Sequence, residues 1–170
     1  MLESTFIVLA RAIHVMSGVI WSGCAFVLAV VVVPLVARHG TEGAGRWLGL
    51  AARRAGTLIA TSAPLAILSG IYLFATLHPH DGSASGIVLK TGAAAALLAA
   101  AVGILFSRTA GRQLLQLSQV STQQGVSSPD AGGQLAALRR RVAVSARLGA
   151  ALLGVAVLAM ATFRYVSAVI

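Results

Sequence analysis

The stretch HVMSGVIWSGCAFVLAVVVVPL, residues 14–35, has no charged residue, and its histidine is followed by 21 uncharged positions. A helix that crosses a bilayer core of about 30 Å needs about 20 consecutive apolar residues. An amphipathic helix of a soluble domain would show a polar face at regular intervals, and this stretch has none. It therefore predicts a membrane-spanning helix.

Composition supports the same class of protein for the whole chain. Of its 170 residues, 58% are hydrophobic and 10% are charged, and the mean hydropathy is +0.89. A soluble domain with this balance would have too little polar surface. The net charge of +9 comes from basic residues in loops between apolar runs, so it predicts membrane orientation and not a nucleic-acid partner.

The apolar runs predict a single transmembrane domain over residues 1–170. Membrane spans are predicted at about 6–36, 56–77, 87–107 and 143–169. Two polar loops, 38–55 and 108–142, separate the first span from the second and the third from the fourth. The predicted fold is an all-α, integral membrane four-helix bundle, placed as a multi-pass protein in a bacterial inner membrane.

Arginine distribution predicts the orientation of this bundle. The two long loops and the adjoining start of the fourth span hold most of the arginines: Arg38, Arg46, Arg53, Arg54, Arg108, Arg112, Arg139, Arg140, Arg141 and Arg147. Because loops rich in arginine and lysine stay in the cytoplasm, both long loops are predicted there. Both termini are then on the non-cytoplasmic side.

His14 is the most unusual residue of the first span. Ser17, Gly18 and Trp21 lie within about 60° of it on a helix, so imidazole, hydroxyl and indole share one stripe. Ionisable groups inside membranes are costly and mark functional sites, which favours a ligand role for His14. The alternative is a structural histidine that hydrogen-bonds a neighbouring helix.

Three cations and a methionine are candidates to complete a site with His14. Arg11, Lys90 and Arg164 fall on the predicted outer side, where they would either meet an anionic ligand edge or extend to the lipid headgroups. Met160 precedes Arg164 by one turn, and a histidine–methionine pair is a known axial set for haem iron. Met160 could equally fill a gap in the core. Since no second histidine lies inside a span, bis-histidine ligation would need two protomers, each giving His14, or a distortion that brings His78 down.

Copper is the alternative metal. The sequence His-Pro-His at 78–80 puts His78 and His80 in an outer turn where they could bind copper, with His14 and Met160 as further ligands. Copper(I) favours several soft ligands, but the chain has only three methionines and one cysteine, Cys24. A single large anionic cofactor suits the residues better.

Three segments resemble a known family. RAIHVMSGVIWSGCAFVLAVVVVPL, residues 11–35, resembles the first helix of the copper-resistance D (CopD)-like membrane proteins, with a His-x6-Trp-x-Gly pattern. GIVLKTGAAAALLAAAVGILFSR, residues 86–108, is similar to their third helix, and LLGVAVLAMATFRYV, residues 152–166, to the last helix of their four-span members. The layout of His14 and Lys90 also resembles the HemJ-type protoporphyrinogen oxidases, which implies haem b on His14.

The sequence therefore predicts a haem b-binding, cytochrome-like membrane protein that carries out electron transfer or haem-dependent redox chemistry near the outer face. As an enzyme it would be a haem-dependent membrane oxidoreductase, because no carboxylate pair or nucleotide motif lies within the spans. Expected partners are membrane lipid, a quinone or redox protein, and a second copy or larger membrane complex. The alternatives are a copper-handling protein and an accessory subunit of a larger complex.

Overall fold

The computed structural model describes residues 2–39, 44–78, 82–107 and 129–169. Almost all of these residues are helical, as the all-α prediction requires. The helices are α1 Leu2–Val27, α2 Val33–His39, α3 Ala44–Leu77, α4 Ala84–Val102 and α5 Pro129–Val169. Two π-helical turns, Leu28–Val32 and Gly103–Ser107, follow α1 and α4 without a break in the chain direction.

Four segments are long and apolar enough to cross a membrane. They are span 1 Glu3–Arg38, span 2 Trp47–Leu77, span 3 Ala84–Leu105 and span 4 Ala136–Val166. Spans 2 and 4 begin earlier than predicted, because the arginine-rich segments before residues 56 and 143 continue the same helices. Helix α3 also continues through Pro64 without ending.

Proline and serine account for two local features of these helices. Pro34 has no N–H, and its ring would press on the carbonyl one turn earlier, so a regular α-helix is disfavoured just before it. The π-helical turn Leu28–Val32 lies there, with the N–H of Val33 bonded to the oxygen of Leu28. Ser83 caps α4, since its hydroxyl oxygen accepts a hydrogen bond from the N–H of Gly86 at 3.2 Å.

The spans pack as two antiparallel pairs. Span 1 packs mainly on span 2 and span 3 mainly on span 4, and the pairs meet chiefly along spans 1 and 4. His78, after span 2, packs edge-on against Phe163 near the end of span 4, with ring centroids 6.1 Å apart. We call this end, which also holds Leu2, the terminal end of the bundle; the opposite end, with His39, Ala44 and Ser107, is the loop end.

The distribution of side chains is inverted relative to a soluble protein. Most buried apolar residues in the described segments are alanines, joined by Trp21, Val32 and Leu153. Long apolar side chains point outward instead; Val8, Leu68 and Leu158 are 65–67% exposed. In lipid no hydrophobic force draws leucine inward, whereas small residues let helices approach closely. This is the arrangement of helices that pack inside a bilayer.

Most hydroxyl groups in the described spans bond within their own helices, and the buried hydroxyl of Ser85 in span 3 has no hydrogen-bond partner. Each of nine serine and threonine side chains donates to the carbonyl four residues earlier: Ser17, Ser22, Thr57, Thr61, Ser62, Ser69, Thr76, Thr91 and Thr162. This bonding mode removes the cost of an unpaired hydroxyl in an apolar environment. These nine polar side chains therefore fit their helices without a ligand.

Candidate functional site

His14 makes a hydrogen bond between the first two spans. Its Nδ1 atom lies 2.8 Å from the carbonyl oxygen of Ala66 on span 2, and the side chain is half-buried. A carbonyl oxygen can only accept, so Nδ1 must carry the hydrogen. In the neutral imidazole the lone pair is then on Nε2. Among the described residues, none forms a hydrogen bond with Nε2.

Span 2 receives the imidazole with small residues. A Cβ built on Gly70 would lie 2.8 Å from Cε1 of His14 and 3.1 Å from its Nδ1, so the ring lies directly on this glycine. The hydroxyl oxygen of Ser69 is 3.5 Å from Nδ1 and donates its own hydrogen to the oxygen of Leu65. Gly70 is seven residues before Leu77, or about 10 Å along the helix axis, which sets His14 toward the terminal end.

The predicted stripe of span 1 faces the interior of the bundle. Ser17 and Trp21 are both 5% exposed, and Trp21 forms a core cluster with Ala66, Ala99 and Leu153 of the other three spans. Trp21 is thus a packing residue, and the hydroxyl of Ser17 is used on the carbonyl of Ile13. Ala66 therefore contacts two residues of the stripe: its carbonyl oxygen accepts from His14, and it packs against Trp21.

Arg11 and Gly18 flank His14 at one turn before and one turn after. Arg11 is exposed, and a Cβ on Gly18 would meet no atom within 4 Å. Arginine binds carboxylates well, and a helix that lacks a side chain at this point admits a flat group close to the backbone. Span 1 therefore offers an imidazole, open space and a cation within three turns.

The remaining predicted residues, Lys90, Met160 and Arg164, lie on spans 3 and 4. Met160 is half-buried beside Ala159, whose side chain packs on Gly92 of span 3, so it belongs to the other pair of spans. Lys90 and Arg164 are exposed on that same pair. A common site for these residues and His14 stays a prediction.

The residues of the copper alternative are only partly described. His78 is half-buried against Phe163, and His80 lies outside the described residues. Within the described segments, no three His, Cys, Asp or Glu side chains come together as a group that could hold a metal ion. Cys24 is a half-buried free thiol.

Ala66 and Gly70 are the site residues that sequence reasoning missed. A weak signal was present, because Ser62, Ala66, Ser69 and Gly70 recur at one face of span 2. The hydroxyl of Ser69 bonds to its own helix and also approaches His14. The acceptor for His14 is a backbone carbonyl, which every residue has, so no residue type marks it in the sequence.

The chain matches no protein-family model, no curated protein and no solved structure with which it was compared.

Proposed function

We propose that the chain crosses a bacterial inner membrane four times with both termini on the non-cytoplasmic side. The small-residue interior and the exposed leucines and valines support insertion. Orientation is supported by exposed arginines grouped toward the loop end: Arg38, Arg53, Arg54, Arg139, Arg140, Arg141 and Arg147.

Cysteine labelling tests this orientation. We expect a cysteine placed at Ser127 to react with a membrane-impermeant maleimide only after the cytoplasmic side is opened. A cysteine at Gly82 is expected to react in intact cells, because residues 82–85 lie at the terminal end. Cys24 is first replaced by alanine, and that cysteine-free protein is the control. The reverse labelling pattern would place His14 in the cytoplasmic half and contradict an outer-face site.

We further propose that the protein binds haem b through Nε2 of His14, near the outer face, and serves electron transfer or haem-dependent redox chemistry. The observation that carries this proposal is the hydrogen bond from Nδ1 to the oxygen of Ala66. Histidines that ligate metals almost always donate their other ring N–H to such an acceptor, which fixes the tautomer and the ring orientation.

The residues around His14 fit a haem. Gly18 leaves open space along the helix next to the imidazole, and Arg11 is positioned to bind a propionate one turn nearer the membrane surface. Trp21 and the alanines of the core keep water from the site. Haem iron held in this way supplies one-electron chemistry between its ferrous and ferric states. A quinone or a redox protein at the outer face would exchange that electron.

The absorption spectrum and metal content of the purified protein test the cofactor. We expect the detergent-solubilised protein to be red, with a Soret band, a reduced-minus-oxidised difference spectrum of b type, and iron in proportion to haem. A ratio of one haem to two chains would indicate that His14 of a second copy is the other axial ligand.

Two results would overturn this function and each favours a different alternative. Copper without haem would indicate copper handling through His14, with Met160, His78 and His80 as the further ligands to test. A colourless protein without metal that co-purifies with a larger membrane complex would indicate an accessory subunit, in which His14 ties two spans together.

A further inference from the structure

The imidazole of His14 lies where a side chain on Gly70 would be. With Cε1 only 2.8 Å from an ideal Cβ on Gly70, even alanine could not be added unless an atom moved. The atom in conflict is at the end of a side chain with two rotatable bonds, and the three atoms nearest to that Cβ, at 2.8, 3.1 and 3.8 Å, all belong to the imidazole ring. The imidazole would therefore rotate away and the helices would stay in place.

The same contact determines which nitrogen of His14 carries the hydrogen. The ring reaches the Ala66 oxygen at 2.8 Å because it lies against the bare backbone of Gly70, and that oxygen accepts only from a protonated Nδ1. In neutral histidine the hydrogen bond at one nitrogen decides the state of the other. An imidazole displaced from Gly70 would lose the partner that fixes this state.

We propose that Gly70 is a positioning residue: it admits the imidazole to the Ala66 carbonyl, holds His14 as the Nδ1–H tautomer and leaves Nε2 as an electron-pair donor. The use of Nε2 on haem iron rests on the proposed function, whereas the tautomer is a property of the protein without any cofactor. Gly70 touches no ligand and acts only through His14.

Nitrogen-15 NMR of the cofactor-free protein tests this proposal. Histidine labelled on both ring nitrogens is incorporated, spectra are recorded under alkaline conditions in which free histidine is neutral, and His14→Gln identifies the His14 signals. We expect a protonated, pyrrole-type Nδ1 and a pyridine-type Nε2 for His14 in the natural sequence. In Gly70→Ala these signals are expected to move toward exchange between both tautomers.

Gly56→Ala is the matched control on the same helix. A Cβ on Gly56 meets no atom within 4 Å, so this variant makes the same glycine-to-alanine change without touching His14. Its His14 signals are expected to be unchanged. Circular dichroism should show equal helicity in both variants, since only a side chain moves in Gly70→Ala.

The outcomes separate the positioning role from haem binding. A pyridine-type Nδ1 in the natural protein, or signals unaltered by Gly70→Ala, would overturn the proposal whatever cofactor is found. Altered tautomers in a protein that never holds haem would support the positioning role and contradict the proposed function alone. If haem is bound, Gly70→Ala is expected to weaken its affinity about 10–100-fold, the usual loss when a partner of a metal-bound histidine is disturbed.

Discussion

Replacing His14 by alanine is expected to abolish the haem Soret band or convert it to that of a weakly held, high-spin form. The change removes the only nitrogen that we assign to iron, and neither the hydroxyl of Ser17 nor the indole of Trp21 is an adequate neutral ligand in its place. The fold should persist, because alanine suits a membrane helix and one lost hydrogen bond costs about 1 kcal/mol. Absorption spectra and haem content per chain measure the result.

A control and a rescue sharpen the same experiment. Met16→Ala lies two residues away on the outward face of span 1, where Met16 is 63% exposed, and it should retain full haem. Because alanine at position 14 leaves the volume of an imidazole next to Gly70, added free imidazole is expected to restore the spectrum of the natural protein. A His14→Ala protein with full haem and unaltered spectra would refute the ligand assignment.

Substituting Gly92 should produce the largest loss of stability. A Cβ on this buried glycine would lie 2.8 Å from the Cβ of Ala159 and 3.4 Å from the oxygen of Ala156. Unlike the imidazole on Gly70, neither atom can move unless span 4 moves as a whole. Overpacking of this kind costs about 1–3 kcal/mol for small additions. Since alanine also gains about 1 kcal/mol of helix propensity, we expect a net loss of up to about 2 kcal/mol for Gly92→Ala.

Reversible unfolding in mixed micelles, followed by circular dichroism, measures this loss. Gly92→Leu is expected to exceed the loss of Gly92→Ala, because a larger side chain must separate spans 3 and 4 further. Gly149→Ala on span 4 is the control, since its Cβ would meet no atom within 4 Å, and it should be neutral or slightly stabilising. Equal stability of the Gly92 and Gly149 variants would contradict the close approach of the two spans.

Sequence patterns predicted the helical class and four apolar segments, because length and hydropathy are properties of each segment by itself. The interior placement of Ser17 and Trp21 also followed from the periodicity of span 1. The acceptor for His14 did not, because a backbone carbonyl is present at every residue and only the packing of two helices selects Ala66.

The beginning of span 2 was missed for a different reason. Its arginines were read as loop residues because they are unfavourable in lipid, but the helix itself needs only helix-compatible residues and continues from Ala44 through Arg53 and Arg54. Hydropathy thus predicted where the apolar part of span 2 begins, whereas the helix itself begins further toward the N-terminus.

The π-helical turn Leu28–Val32 changes the angular phase of span 1. It accommodates one residue more than an α-helix would over the same length, so every later residue is rotated by about 100° relative to the uninterrupted stripe. The periodicity that aligns His14 with Trp21 consequently does not predict which residues face the bundle after Leu28. For residues of α2, the position on the helix has to be counted with one residue left out. Deleting a single valine from 30–32 would remove this offset and turn Pro34 and Arg38 back by about 100° relative to His14. The number of residues in the turn, more than the identity of its valines, therefore fixes which side of span 1 reaches span 4.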